Sequence, residues 1–323
     1  MSSSKNERKT GAVLSYISII LSTLVQLLYT PLLTRMLGQS EYGLYSLVSS
    51  IIGYLTVLDL GFGNAIIVYT AKYRAEKKYE EEKKLHGMFL VVYLIIGLVA
   101  GILGIILYFL VPTIFGATMS TTELGKMKIM MLILAFNLAM TFAFSIYSSI
   151  INAYEKFTFQ KIMSIFNTIT KPLLMIPLLF LGYKSITMCV VITIVNIIVL
   201  LSNYIYCKKK LNLNIKFKGF DKILFKTIFS YSFFIFLGVI VDKINWSVDQ
   251  FVLGAVSGSV AVSIYAIASH LNNLFVNLST AVSGVLLPKM SKMIAEKASN
   301  KEITKEFIKV GRIQYLVIHS LYS

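Results

Sequence analysis

The chain has 323 residues, 56% of them apolar and only 14% charged, and its mean hydropathy of +0.75 excludes a soluble globular protein. The formal net charge is +16, yet 25 of the 31 Lys and Arg fall in alternate loops, the pattern of the positive-inside rule with the N-terminus in the cytoplasm. Anionic lipid headgroups account for this basic charge, and nucleic acid is not expected as a partner.

These features predict an all-α fold, a polytopic transmembrane helical bundle. Residues 1–10 are polar and basic, and the apolar run behind them is too long for a signal-peptide core. Span 1 covers 11–34, with Gln26 inside, Pro31 near its outer end and Arg35 just beyond. Span 2 covers 42–70 and carries Asp59, followed by Gly61 and Gly63. A carboxylate at membrane depth costs roughly 2.5–3.5 kcal/mol even on lenient scales, so Asp59 is expected to turn inward. The glycines allow close helix approach or local unwinding. The mixed Lys/Glu stretch 72–84 reads as a cytoplasmic helix extension with a solvated face.

Span 3 lies near 87–111 and is expected to stop at Pro112, with 113–126 as a hydroxyl-rich outer loop. Span 4 covers 127–151, and 152–160 form a short inner turn. Span 5, 161–181, contains Lys171 beside Pro172, then Pro177. Span 6 covers 185–207, and a basic amphipathic connector, 208–226, is expected on the inner membrane surface. Span 7, 227–249, crowds Asp242, Lys243, Asn245, Trp246 and Asp249 toward its outer end. Span 8, 258–288, carries His270, Asn272, Asn273 and Asn277 and ends at Pro288, before a basic inner loop, 289–312. The last 11 residues cannot cross a core ~30 Å thick at ~1.5 Å per residue. The chain is therefore expected to be C-terminally truncated, with eight complete spans and a partial ninth.

Leu44-Tyr45-Ser46-Leu47-Val48-Ser49 recurs loosely as Ile264-Tyr265-Ala266-Ile267-Ala268-Ser269, an offset of 220. Leu37-Gly38 before the first copy matches Leu253-Gly254 before the second, with four extra loop residues. Spans 7 and 8 thus repeat spans 1 and 2 in the same orientation, the arrangement of parallel-repeat transporters with a substrate cavity between halves. Residues 1–210 are expected to form an N-terminal six-helix bundle, and 211–323 to begin a second.

Arg35, Asp59, Lys171, Asp242, Lys243, Asp249 and His270 are the ionisable residues within or bordering spans. In a shared cavity the cations would attract an anionic group, Lys as a point charge and Arg bidentately, while the carboxylates balance charge or carry coupling ions. Each also has a local reading. Arg35 can snorkel, Asp242 and Lys243 can pair, Asp59 can pin helices, and His270 can hydrogen-bond between helices. Lys171 is the least explained locally and the strongest candidate. Trp246 and the many Tyr and Phe read first as interfacial belts and second as sugar-stacking platforms.

Cys189 lies mid-span and Cys207 at a span boundary, so no disulfide or metal cluster is suggested. There is no nucleophile–base pair in a soluble domain and no phosphate-binding glycine loop, so neither enzymatic activity nor a cofactor is expected.

Thr34-Arg35-Met36-Leu37-Gly38, Glu41-Tyr42-Gly43-Leu44-Tyr45 and Leu58-Asp59-Leu60-Gly61-Phe62-Gly63-Asn64 resemble the opening of the Wzx-type polysaccharide flippases. These belong to the multidrug/oligosaccharidyl-lipid/polysaccharide exporter superfamily, and their hydropathy pattern fits from about residue 10 to residue 312. Residues 152–160 resemble the family's N-A-x-x-x-F-x-F pattern. The resemblance implies a two-bundle transporter in the bacterial cytoplasmic membrane. It would flip an undecaprenyl-diphosphate-linked oligosaccharide for surface polysaccharide biosynthesis, with its lipid tail left in the bilayer. Membrane lipids and the polymerase and ligase machinery would be its partners, and the seven ionisable residues would serve the diphosphate. The alternatives are a cation-coupled multidrug exporter of the same superfamily and a non-functional truncated fragment. A membrane-embedded glycosyltransferase would need a long outer loop with catalytic carboxylates, which the sequence lacks.

Overall fold

The computed structural model describes residues 2–217, 222–295 and 299–319, with no strand among them. The helices are α1 (Ser2–Leu37), α2 (Gln39–Leu55), α3 (Phe62–Ala75), α4 (Tyr79–Phe115), α5 (Thr121–Ala153), α6 (Phe157–Phe180), α7 (Ser185–Lys209), α8 (Lys222–Ala295) and α9 (Asn300–His319). Seven described stretches are long and apolar enough to cross a membrane. The last, Phe236–Asn273, contains the backbone break at Gly258, so predicted spans 7 and 8 share it.

The second span is not one helix. A 3-10 segment, Thr56–Asp59, separates α2 from α3, and Leu60 (φ 52°) and Gly61 (φ 73°) turn the chain left-handed there. Leucine rarely accepts that conformation, which costs about 1–3 kcal/mol, so surrounding packing must hold it. Phe62, Ile66, Phe89, Tyr93, Met127, Met130 and Ile146 are all almost fully buried and form one core between α3, α4 and α5. A Cβ on Gly97 would stand 2.7 Å from the Ala139 carbonyl oxygen, so α4 and α5 meet backbone to backbone through small residues. Their outward faces carry Leu98, Ile102, Ile105 and Phe136, as lipid contact requires. α1 packs along α6.

Two local expectations are revised and a third is refined. α4 runs through Pro112 to Phe115. α5 starts at Thr121, because Ser120 and Glu123 form a capping box: the Glu123 backbone N–H donates to Ser120 Oγ, and the Ser120 N–H donates to Glu123 Oε2 at 3.0 Å. The connector is not helical over 211–217. Leu211, Leu213 and Ile215 alternate with exposed Asn212, Asn214 and Lys216, a period of two, and those three apolar residues pack on the core. The Lys216 N–H donates to the Lys83 carbonyl at 3.2 Å, fixing this extended segment beside the start of α4.

The chain forms two compact units, 1–264 and 265–323. The second holds the rest of α8 and α9. The side chains of Trp246 and Asn277, and residues 320–323 of the expected ninth span, lie outside the described residues.

Candidate functional site

The repeat is expressed in backbone geometry. Gly38, between α1 and α2, has φ 83° and ψ 163°; Gly258, inside α8, has φ 80° and ψ −174°. The two are 220 residues apart, the same offset as Tyr45 and Tyr265. The equivalent of Gly38 is therefore Gly258 rather than Gly254, and the repeat needs no loop insertion.

These two turns meet at one end of the molecule. A Cβ on Gly43 would overlap the Ser259 carbonyl oxygen and stand 3.2 Å from the Ser263 amide nitrogen, so only glycine allows α2 this close to α8. Glu123 ties the contact together: its Oε1 accepts from Ser40 Oγ at 2.7 Å and from Ser259 Oγ at 2.6 Å, while Oε2 serves the α5 cap. Thr118 Oγ1 donates to the Gly254 carbonyl at 2.9 Å, and Phe115 meets Phe251 edge-on. Glu41, buried at 6% exposure, accepts from Lys126 Nζ and from Ser185 Oγ, joining α2, α5 and α7. This end of the seam between α2, α5 and α8 is shut by carboxylate-centred hydrogen bonds.

At mid-span, Asp59 sits in the break and accepts from the Tyr93 hydroxyl at 2.9 Å. Lys243 reaches the same region: its Nζ lies 4.0 Å from where a Gly53 Cβ would stand, one turn before the break. Asp249 lies within electrostatic reach of Tyr54. Asp242 is exposed and forms no ion pair with Lys243 among the described residues, since adjacent helical residues do not face each other. Lys171 is half-buried on α6, and Arg35 is exposed in the last turn of α1. Thus Lys243 and Asp249 both lie toward the end of α2, before the Asp59 break, while Arg35 and Lys171 stand on the α1–α6 pair. His270 belongs to the second unit, where its Nδ1 is buried without a hydrogen-bond partner among the described residues. Tyr93→Phe removes a donor to a carboxylate, worth about 1.5–3 kcal/mol. It is expected to cut transport roughly tenfold without changing expression, as measured in a cell-based transport assay.

The lysine-rich end is more ordered than a solvated face. Glu82 is only 4% exposed; it takes Arg74 Nη1 at 3.3 Å and the Tyr154 hydroxyl at 2.7 Å, and the Arg74 guanidinium stacks 3.7 Å over the Tyr154 ring. His86 Nε2 pairs with buried Thr70 at 3.0 Å. In the α3–α4 turn, the Lys78 hydrogen bond at 2.7 Å holds the Glu76 carboxyl below its ordinary range.

Residues 9–294 match the family described as polysaccharide biosynthesis protein. The chain belongs to that family. No curated protein matches its sequence. Solved transporters are similar to this chain in fold. A MOP superfamily transporter from Pyrococcus furiosus is 14% identical with a TM-score of 0.62, over 96% of this chain and 70% of that one. A MATE family multidrug resistance transporter in an inward-facing conformation is 13% identical with a TM-score of 0.66, over 91% and 71%. The MATE multidrug transporter DinF-BH is 16% identical with a TM-score of 0.65, over 97% and 72%. The chain is therefore a multi-pass membrane protein whose fold is similar to that of these transporters. Sequence reasoning missed Glu41, Glu123 and Glu82, although Glu41 stands inside the quoted E-Y-G motif and Ser120-x-x-Glu123 is a readable capping box.

Proposed function

We propose that this protein flips a lipid-linked oligosaccharide, carried on a polyprenyl diphosphate such as undecaprenyl diphosphate, across the bacterial cytoplasmic membrane for surface polysaccharide assembly. The observation that carries this reading is a pair of cations at membrane depth, Lys171 and Lys243, neither of which meets a carboxylate at ion-pair distance among the described residues. An unpaired cation there is costly, so it is kept for an anionic group that arrives. The family's polysaccharide role supports a glycan, and the diphosphate supplies the anion. The lysine-rich end and the N-terminus face the cytoplasm, where positive charge accumulates, and the Gly38–Gly258 end is outer. The shut outer seam then corresponds to an inward-open state, from which residues 1–210 rock against the bundle that begins at 211. Arg35, Asp242 and Asp249 add to the charge along the path, His270 stands in the second unit, and Asp59 marks the hinge. The protein acts as a transporter and not as an enzyme, alongside polymerase and ligase machinery.

A second reading, a cation-coupled multidrug exporter, is favoured by one observation: Asp59 lies in a broken helix, where such coupling groups act. Complementation of a host lacking its own flippase separates the two. The wild-type chain is expected to restore surface polysaccharide and Lys171→Ala to lower it at least tenfold. Drug efflux without polysaccharide would support the second reading instead.

A further inference from the structure

A cavity of about 480 Å³ opens at the lysine-rich end between α3 and the start of α8. None of the seven predicted site residues lines it. Asn64, Val68 and Lys72 form one stripe of α3 at four-residue spacing, Tyr69 lies beside them, and Thr227 and Ile228 of α8 face them. Its volume is within the roughly 300–1,000 Å³ of small-molecule sites. Beside the crevice the start of α8 is held against α3, because Phe62 packs on Phe225 and Phe229 with centroids 6.3 and 6.4 Å apart.

Depth gives the cavity its meaning. The mid-span break ends at Gly61 and α3 starts at Phe62, so Lys72, ten residues on, stands about 15 Å beyond the break at ~1.5 Å per residue. That equals the ~15 Å half-thickness of the hydrocarbon core, and places Lys72 at the headgroup boundary. Asn64 stands about 3 Å beyond the break, inside the hydrocarbon. The stripe thus begins among phosphates and leads polar groups inward. Lys72 is exposed and forms no ion pair among the described residues, and its helical neighbour Glu76 is held by Lys78 at 2.7 Å.

We propose that this crevice is an inner-leaflet docking site for a lipid phosphate, with Lys72 holding the phosphate, Asn64 and Tyr69 guiding it inward, and the prenyl chain remaining in the bilayer. The inference rests on the flippase reading and adds where the substrate first binds. Arriving lipid exchanges water and counterions at Lys72 for a charge-assisted hydrogen bond, before the phosphate meets the deeper cations.

The test uses the full chain in phosphatidylcholine nanodiscs with farnesyl diphosphate as the probe and equilibrium binding as the readout. Wild type is expected to bind it. Lys72→Gln, which removes the charge, and Thr227→Trp, which fills the crevice, are each expected to raise Kd about tenfold or more. Lys208→Gln, an exposed lysine outside the cavity, is expected to leave Kd unchanged. Equal affinity for inorganic diphosphate would overturn the lipid assignment, and so would full competition by phosphatidylglycerol added to the nanodisc. Unchanged Kd in both crevice variants would overturn the docking site while leaving the flippase reading standing. No binding of farnesyl diphosphate by wild type would count against both.

Discussion

Gly43→Ala is expected to hold the Gly38–Gly258 seam open and abolish transport in a chain that still reaches the membrane. The added Cβ would overlap the Ser259 carbonyl oxygen and lie 2.7 Å from its carbon. Both are backbone atoms, so no side-chain rotation relieves the contact; α2 and the Gly258 turn must separate. Separation breaks the two bonds by which Glu123 joins Ser40 and Ser259. Each hydrogen bond to a carboxylate contributes about 1.5–3 kcal/mol, so the shut state loses at least a factor of ten in population. Ser259 is 5% exposed, and both native cysteines are buried, so Ser259→Cys reports the seam with little background. A membrane-impermeant maleimide added outside is expected to label it slowly in the parent and at least tenfold faster beside Gly43→Ala. Glu123→Gln, which keeps shape and loses charge, should give a smaller increase of the same sign. Unchanged labelling would mean that the seam closes through other contacts.

The second large effect is expected at the opposite end, on stability. Glu82→Ala removes the acceptor shared by Arg74 and the Tyr154 hydroxyl. Breaking a buried ion pair costs about 3–5 kcal/mol, but the Arg74 side chain is 38% exposed, so solvent recovers part of that. A loss of about 2 kcal/mol remains. It should appear as a fall of several degrees in the unfolding midpoint of the detergent-purified protein, half restored by Glu82→Gln, which still accepts from Tyr154. A midpoint unchanged in both variants would show that water replaces Glu82 without penalty.

The spans were legible because lipid forces every backbone polar group into a helix, and runs of about twenty apolar residues announce that directly. The unwinding after Asp59 was one of two readings of Gly61 and Gly63, the other being close helix approach, and the left-handed turn at Leu60 and Gly61 decides for it. The repeat could be read, but its register could not. Leu253-Gly254 looks more like Leu37-Gly38 than Ser257-Gly258 does, and only the shared positive φ at Gly38 and Gly258 decides between them. The connector was read as amphipathic without its period: Leu211, Leu213 and Ile215 alternate, and a basic run hid the alternation. The carboxylates of the seam and of the lysine-rich end were missed for a different reason. Glu41, Glu82 and Glu123 sit at span ends, where charge is ordinary, and their importance comes from partners 72 to 144 residues away. Sequence spacing holds no record of such distant pairing.

The most direct test of the account is translocation itself. The purified chain would be placed in proteoliposomes carrying a fluorescent oligosaccharide on a short polyprenyl diphosphate, with a membrane-impermeant quencher added outside. Protein-dependent movement of the lipid between leaflets, slowed at least tenfold by Lys171→Ala, is the predicted result. Movement that is no faster than in empty liposomes, or that proceeds equally well with Lys171→Ala, would contradict it.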